Sequence, residues 1–306
     1  MKGRKTGKII RDSFLILKKA LVNFGSNNPV GMAGTTAYFA IFSIAPILII
    51  IISVFGIFAG DITIRQKLFD EVNVLIGSES SQLLENAIEN YQIAENSGIG
   101  AVIGGVIFLV SATTLFSIMQ NYINYIWRVK VKSKLKQNIL KLVKDRIFSF
   151  GMILSLGFIL LVSLVVDASI AFLRDILSQY FTADFVVFAQ VINVFISLAI
   201  ITLVFSFIYR FLPDVNVKWR SSWFGAIFTA VFFFIGKYII GFIIGNSKLG
   251  AVYGAASSFV VILIWIYFVS LIFYFGVEIT HQYSKFYNHK NKPLNFAIPF
   301  EITPVK

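Results

Sequence analysis

Of the 306 residues, 57% are hydrophobic and only 14% charged, and mean hydropathy is +0.81, whereas a soluble domain carries roughly 25% charge. That deficit excludes a water-facing globular surface, and the absence of cysteine excludes disulfides and thiolate metal sites. A net charge of +12 would suit a nucleic-acid partner, a question that the distribution of the charges decides.

Residues 1–33 form a basic head, with Lys2, Arg4, Lys5, Lys8, Arg11, Lys18 and Lys19 set against Asp12. Its apolar positions Ile9, Ile10, Phe14, Leu17, Leu21 and Phe24 recur at steps of three and four, which predicts an interfacial amphipathic helix. No short apolar region ends at a small-residue cleavage site, so no removable signal peptide is expected. The first membrane span covers 34–60. Pro46 lies inside it and frees the carbonyl of Phe42, which predicts a kink at Ser43–Pro46.

Residues 61–97 differ: Asp61, Asp70, Glu71, Glu79, Glu85, Glu89 and Glu95 outnumber Arg65 and Lys67, yet a helical apolar stripe persists. Two short amphipathic helices broken at Gly77–Ser78 are expected. A second span follows at 98–122, then a stretch to residue 146 carrying eight basic side chains and one acid, Asp145. Further spans are read at 147–170, 185–209, 221–244 and 252–280. The turn at Pro213–Asp214 stops the fourth, and Leu249–Val277, without a charge, supplies most of the sixth. The tail, 283–306, holds Lys285, Lys290, Lys292 and late prolines, and reads as poorly ordered.

The fold class is therefore all-α: a polytopic membrane protein whose transmembrane domain, 34–282, is a bundle of six helices. An N-terminal interfacial helix and short amphipathic helices in the first extracellular loop complete it. With an even number of spans both termini share one side, and on that side fall 22 of the 27 basic residues. The positive-inside rule makes it the cytoplasm and puts the acidic 61–97 segment outside. The excess charge thus reads as a topology signal. Membrane lipids are the expected partners, with no nucleic acid and no cofactor.

A charged group in the hydrocarbon costs ~2.5–3.5 kcal/mol on insertion scales, so each one needs a partner or a wet cavity. Glu278 closes the sixth span at its cytoplasmic edge, either as an interfacial acid paired with Arg210, Lys218 or Arg220, or as a gate or proton-coupled site at the inner mouth. Asp167 and Lys237 fall at matching depth in the outer third, where they could pair, or Lys237 could snorkel outward. Gln120, Asn121 and Asn124 end the second span, and Gln190 and Asn193 sit inside the fourth; amides there commonly bond between helices. Gly56, Gly60, Gly250 and Gly254, in pairs four apart, and Gly276 read as points of close helix approach. His281 and His289 lie eight apart with no paired acids, and neither a phosphate-binding loop nor a serine-nucleophile motif occurs, so no metal site and no enzyme are expected.

Three stretches carry a family resemblance. Ala33 to Pro46 (AGTTAYFAIFSIAP), Leu212 to Arg220 (LPDVNVKWR), and Tyr253-Gly254-Ala with Trp265, Tyr267 and Phe275-Gly276-Val-Glu278 together resemble the YihY/BrkB family of bacterial inner-membrane proteins. Val277 stands where a small residue such as alanine is usual. The resemblance implies six membrane helices with cytoplasmic termini. It also implies distrust of an old ribonuclease label, whose activity belongs to an unrelated soluble metallo-hydrolase. Serum resistance and, for one branch, lipid movement across the inner membrane are linked to the family. The leading functional reading is a transporter or lipid/amphiphile translocase without its own ATPase. The alternatives are an envelope scaffold that docks a partner and, least favoured, a membrane-tethered nuclease.

Overall fold

The computed structural model describes residues 2–94, 98–132, 147, 151, 153–154, 184–247 and 252–301. Helix α1 (Lys2–Ser26) leads through a corner at Asn27–Asn28 into α2 (Pro29–Ala59), followed by α3 (Asp61–Ile76), α4 (Ser78–Ala94) and α5 (Gly98–Ile126). Strand β1 (Val129–Val131) comes next. Beyond it lie α6 (Asp184–Phe211), α7 (Trp219–Asn246), a 3-10 turn (Gly254–Ala256), α8 (Ser257–Phe286) and β2 (Ala297–Pro299). Helices α2, α6, α7 and α8 each hold a segment long and apolar enough to cross a membrane. The proposed third span, 147–170, lies almost wholly outside the described residues.

The first span starts earlier than hydropathy suggests. Pro29 occupies the first turn of α2, where its missing N–H is harmless, and the Asn28 side chain accepts from the Gly31 N–H at 3.2 Å. Helix α2 continues through Pro46, and beside it the Ser43 hydroxyl donates to the Ser111 carbonyl of α5 at 2.7 Å. Every residue from Ile47 to Ile52 is buried, in one cluster with Ile64 and Leu68 of α3, Leu84 and Ile88 of α4, Phe116 of α5 and Trp265 of α8. A helix apolar on all sides is either a core helix or a lipid-facing span, and its packing makes the middle of α2 the core one. Lipid-type exposure falls instead on α7, whose Ile227, Val231, Ile235, Ile239 and Phe242 form an exposed stripe at helical spacing.

The amphipathic pair α3–α4 turns its apolar stripe onto this core. Gly60 (φ 85°) and Gly77 (φ 83°) make the two corners, both in backbone conformations that favour glycine. At Gly56 an added Cβ would strike the Asp61 carboxyl, so this glycine admits the start of α3. Across the pair, Arg65 reaches Glu85 and Glu89 at 3.5 and 3.3 Å.

Long helices approach one another closely where α6, α7 and α8 meet. An added Cβ at Gly276 would run into the Thr229 and Tyr209 hydroxyls, and one at Gly225 would meet the Thr280 hydroxyl and lie 2.8 Å from the Gly276 carbonyl. Tyr209 then donates to the Phe273 carbonyl at 2.9 Å, with the Thr229 hydroxyl also 2.9 Å from it. Gly254 is different: it holds φ 52° with open space around it, so it serves the turn into α8 and not close packing. Gly250 lies outside the described residues.

The expected disordered tail is overturned as far as residue 301. Strand β2 pairs antiparallel with β1, with Lys130 opposite Ile298, and Pro293 bridges Val215. Backbone pairing of Leu294 with Asp214 at 3.0 Å, and of Asn216 with Lys292 at 3.0 Å, stitches the tail to the α6–α7 turn. Hydropathy carries no trace of such long-range pairing.

Gly225→Ala should cost about 1–3 kcal/mol, because a backbone oxygen cannot give way as a side-chain tip can. Gly241→Ala, with nothing within 4 Å of the added carbon, should be neutral or slightly stabilising. Thermal unfolding in detergent separates the two, and equal midpoints would refute the contact.

Candidate functional site

Charged and amide side chains gather at the basic end of the bundle, where α1 meets α2 and where α5, α6 and α8 finish. Glu278 is 1% exposed, and a carboxylate so deep in the protein needs hydrogen bonds or a counter-charge. Asn27 Nδ2 donates to its Oε2 at 3.0 Å, and Gln282 Nε2, one turn along α8, donates to Oε1 at 2.7 Å. His281 Nδ1 stands 3.8 Å from Oε1. Behind Asn27 lies Arg128, whose guanidinium donates to Asn27 Oδ1 at 2.6 Å and packs on the Tyr125 ring at 4.9 Å. The charge of Arg128 therefore reaches Glu278 through one amide, a relay and not a direct ion pair.

The expected partners of Glu278 are thus replaced. Arg210 lies over the Trp219 ring at 5.7 Å, while Lys218 and Arg220 are exposed. The reason is rotational: α8 turns Glu278 toward the α1–α2 corner, whereas those three cations flank the α6–α7 turn.

A second buried carboxyl, Asp214, is 3% exposed beside Pro213. It accepts from Gln120 Nε2 at 3.0 Å and from Asn124 Nδ2 at 2.8 Å, and its own N–H donates to Asn124 Oδ1 at 2.8 Å. Gln120 and Asn124, one turn apart on α5, form a two-pronged clamp. Asn121, rotated about 100° from Gln120, is exposed.

Below these networks opens a cleft of about 1150 Å³, lined among others by Trp127, Arg128, His281, Lys285, His289, Lys290, Phe300 and Glu301. His281 packs at a tilt against Trp127 with ring centres 5.0 Å apart, and it lines the cleft while standing next to buried Glu278. His289 Nδ1 lies 2.9 Å from the Ser221 hydroxyl, and its imidazole is held below the usual 6.5 by burial, then by Lys218 and Arg220. Among the described residues no group of three or more His, Asp or Glu is placed to hold a metal ion.

The family described as virulence factor BrkB matches residues 20–296, nearly the whole chain. The chain belongs to the BrkB family. Among its relatives is a UPF0761 membrane protein of Vibrio campbellii, 26% identical over 253 residues that cover 81% of this chain and 75% of the relative. Another, from Psychromonas ingrahamii, is 27% identical over 83% of this chain and 82% of its own length. A longer one from Psychrobacter is 26% identical over 274 residues, and the match spans 49% of it. No solved structure matches the chain.

In this BrkB-family protein the residues chosen from sequence scatter. Lys237 is half-buried on α7, and Asp167 lies outside the described residues. Gln190 and Asn193 fall on α6, their side chains likewise outside the description. Glu278 is joined instead by three groups that sequence reasoning passed over. Gln282 was discoverable, since its four-residue step from Glu278 places both on one helix face. Asn27 and Arg128 were not, because their meeting with Glu278 depends on the α1–α2 corner and on the end of α5.

Asp214→Asn should destabilise by about 1–3 kcal/mol, because the new amide must set a donor against one of the two donors that now serve the carboxyl. A double-mutant cycle with Asn124→Ala, followed by unfolding, should give a coupling well above zero; additivity would refute the clamp. For His289, an NMR titration should place the imidazole below 6.5, and Lys218→Gln with Arg220→Gln should raise it only part-way, since burial remains. A lowered folded value means that neutral His289 stabilises the fold above about pH 6.5, a contribution lost as pH falls through that lowered value.

Proposed function

We propose that this protein is a six-span protein of the cytoplasmic membrane, both termini cytoplasmic, that moves a lipid or other amphiphile without an ATPase of its own. The observation that carries the reading is Glu278: an acid buried at the mouth of the bundle, one histidine from an open cleft. An ionisable group kept in such a place marks a pathway more often than a strut. The six spans are α2, α5, α6, α7, α8 and the segment 147–170. Orientation rests on the charges, since α1, β1, the α6–α7 turn and the tail all lie at the basic end. Membrane lipids, and not nucleic acid, are the partners in this reading, and none of the relatives described above carries an enzymatic name.

The apolar packing around Ile47–Ile52 favours a second reading, an envelope scaffold in which the acidic outer faces of α3–α4 receive a partner. Flux separates the two. In liposomes the protein should speed movement of a fluorescent phospholipid, and Glu278→Gln should slow it roughly tenfold, the effect of about 1.4 kcal/mol on a barrier. Rates equal with and without protein across a panel of lipids and amphiphiles would leave the scaffold. Protease or tag accessibility should find both termini on the cytoplasmic face and 61–97 outside.

A further inference from the structure

The cleft holds more positive charge than topology requires, and the charge is focused. Arg128 comes from the end of α5, and Lys285 and Lys290 come from the end of α8 and the chain beyond it; all three line one concavity. Among the described residues none of the three is ion-paired with a carboxylate, and Glu301 is the one acid in the lining. Cations spread only to orient a membrane protein have no reason to converge on a hollow.

Backbone conformation gives an independent sign. Arg128 (φ 56°) and Asn288 (φ 48°) follow α5 and α8 in the left-handed conformation that helix ends usually reserve for glycine. Both line the cleft, and an arginine held there at conformational cost is kept for its side chain. That side chain is already oriented by Asn27 and by the Tyr125 ring. A planar guanidinium fork suits the oxygens of a phosphoryl group, and the two lysines add point charges.

Depth and lining define the rest of the ligand. Helix α8 has 30 residues, about 45 Å at 1.5 Å each, against ~30 Å of hydrocarbon, so its last turns reach the headgroup layer. Trp127 and Phe300 supply apolar walls beside the cations. At about 1150 Å³ the cleft is somewhat larger than the ~300–1,000 Å³ of typical small-molecule sites.

We infer that this cleft binds a phosphate-bearing anion, from a phospholipid headgroup or a soluble phosphate monoester, through Arg128, Lys285 and Lys290. The inference deepens the transport reading and rests on it for the side of the membrane that the cleft faces. Because Arg128 also donates to Asn27, and Asn27 to Glu278, occupancy reaches the buried acid through two hydrogen bonds.

The test is equilibrium binding, without flux, to the full chain in maltoside detergent. One probe is dihexanoyl phosphatidylglycerol and the other glycerol 3-phosphate, with affinity read by calorimetry. The exposed pair Lys285→Gln/Lys290→Gln should weaken saturable binding at least about tenfold, as the loss of two near-surface cations implies. The control pair Lys130→Gln/Lys292→Gln, with the same change of charge at the same end, should cost less than about threefold. Saturable binding of glycerol 3-phosphate identifies a soluble source, and binding of the lipid alone identifies a headgroup. No saturable binding of either probe, or the same affinity in the two double variants, overturns the site. Binding with this pattern but no lipid flux defeats the transport reading alone.

Discussion

The fold of the basic end depends on how one buried acid is kept. Among the described residues Glu278 has no lysine or arginine at ion-pair distance; His281 stands 3.8 Å away, and two amides stabilise the carboxyl, one of them backed by Arg128. Each contact fixes a different part of the chain: Asn27 the α1–α2 corner, Gln282 the rotation of α8, Arg128 the end of α5. Removing any member strands a buried donor or acceptor, which costs more than the bond contributes. An amide between the charges also lowers the barrier to rearrangement, since it can swing to a new partner without separating two ions in low dielectric. In the proposed transport reading, a carboxyl held by amides from separate segments is suited to change partners, which a gate requires and a strut does not.

Asp214 shows the contrast. Its partners, Gln120 and Asn124, lie one turn apart on a single helix, and its own backbone is held by Asn124 and by the tail. Nothing there can move without undoing the α6–α7 turn, so Asp214 acts as a fastener. The two acids lie at the same end of the bundle, yet the sources of their donors differ: Glu278 draws on three segments, Asp214 chiefly on α5. Packing elsewhere is equally unyielding, with α2 buried along Ile47–Ile52 and α7 and α8 touching backbone to side chain at Gly225 and Gly276.

Local sequence predicted what is local. The stretches read at 34–60, 185–209, 221–244 and 252–280 overlap α2, α6, α7 and α8, the helices long and apolar enough to cross a membrane, and 98–122 falls on helix α5, because a long apolar run and a polar flank are properties of neighbours in the chain. The break at Gly77 and the stripe of α3–α4 were legible for the same reason. Which apolar helix is central was not: Ile47–Ile52 and the α7 stripe are equally hydrophobic, and only packing tells a core helix from a lipid-facing one. The site was half visible. Glu278 stood out by its cost in a membrane, but its partners come from residues 27, 128 and 282, and only the last is within one helical turn.

The tail exposes the same limit and carries the last step. Lys285, Lys290 and Lys292, followed by prolines, read from sequence as a solvated end, and as topology charge they are interchangeable. The fold removes that equivalence: β2 pairs with β1 and brings the chain back to the end of α5, and Lys285, from the end of α8, and Lys290 line one cleft with Arg128, while Lys292 stays outside the lining. Positive charge that orients a membrane protein need only be on the right side of the bilayer, whereas charge that binds must also be concentrated within a Debye length of about 8 Å around one concavity. The first condition asks nothing of where in the fold a lysine lies. The second, under the inference drawn for the cleft, rests on Arg128, Lys285 and Lys290 lining one concavity, with the left-handed Arg128 and Asn288 in the same lining.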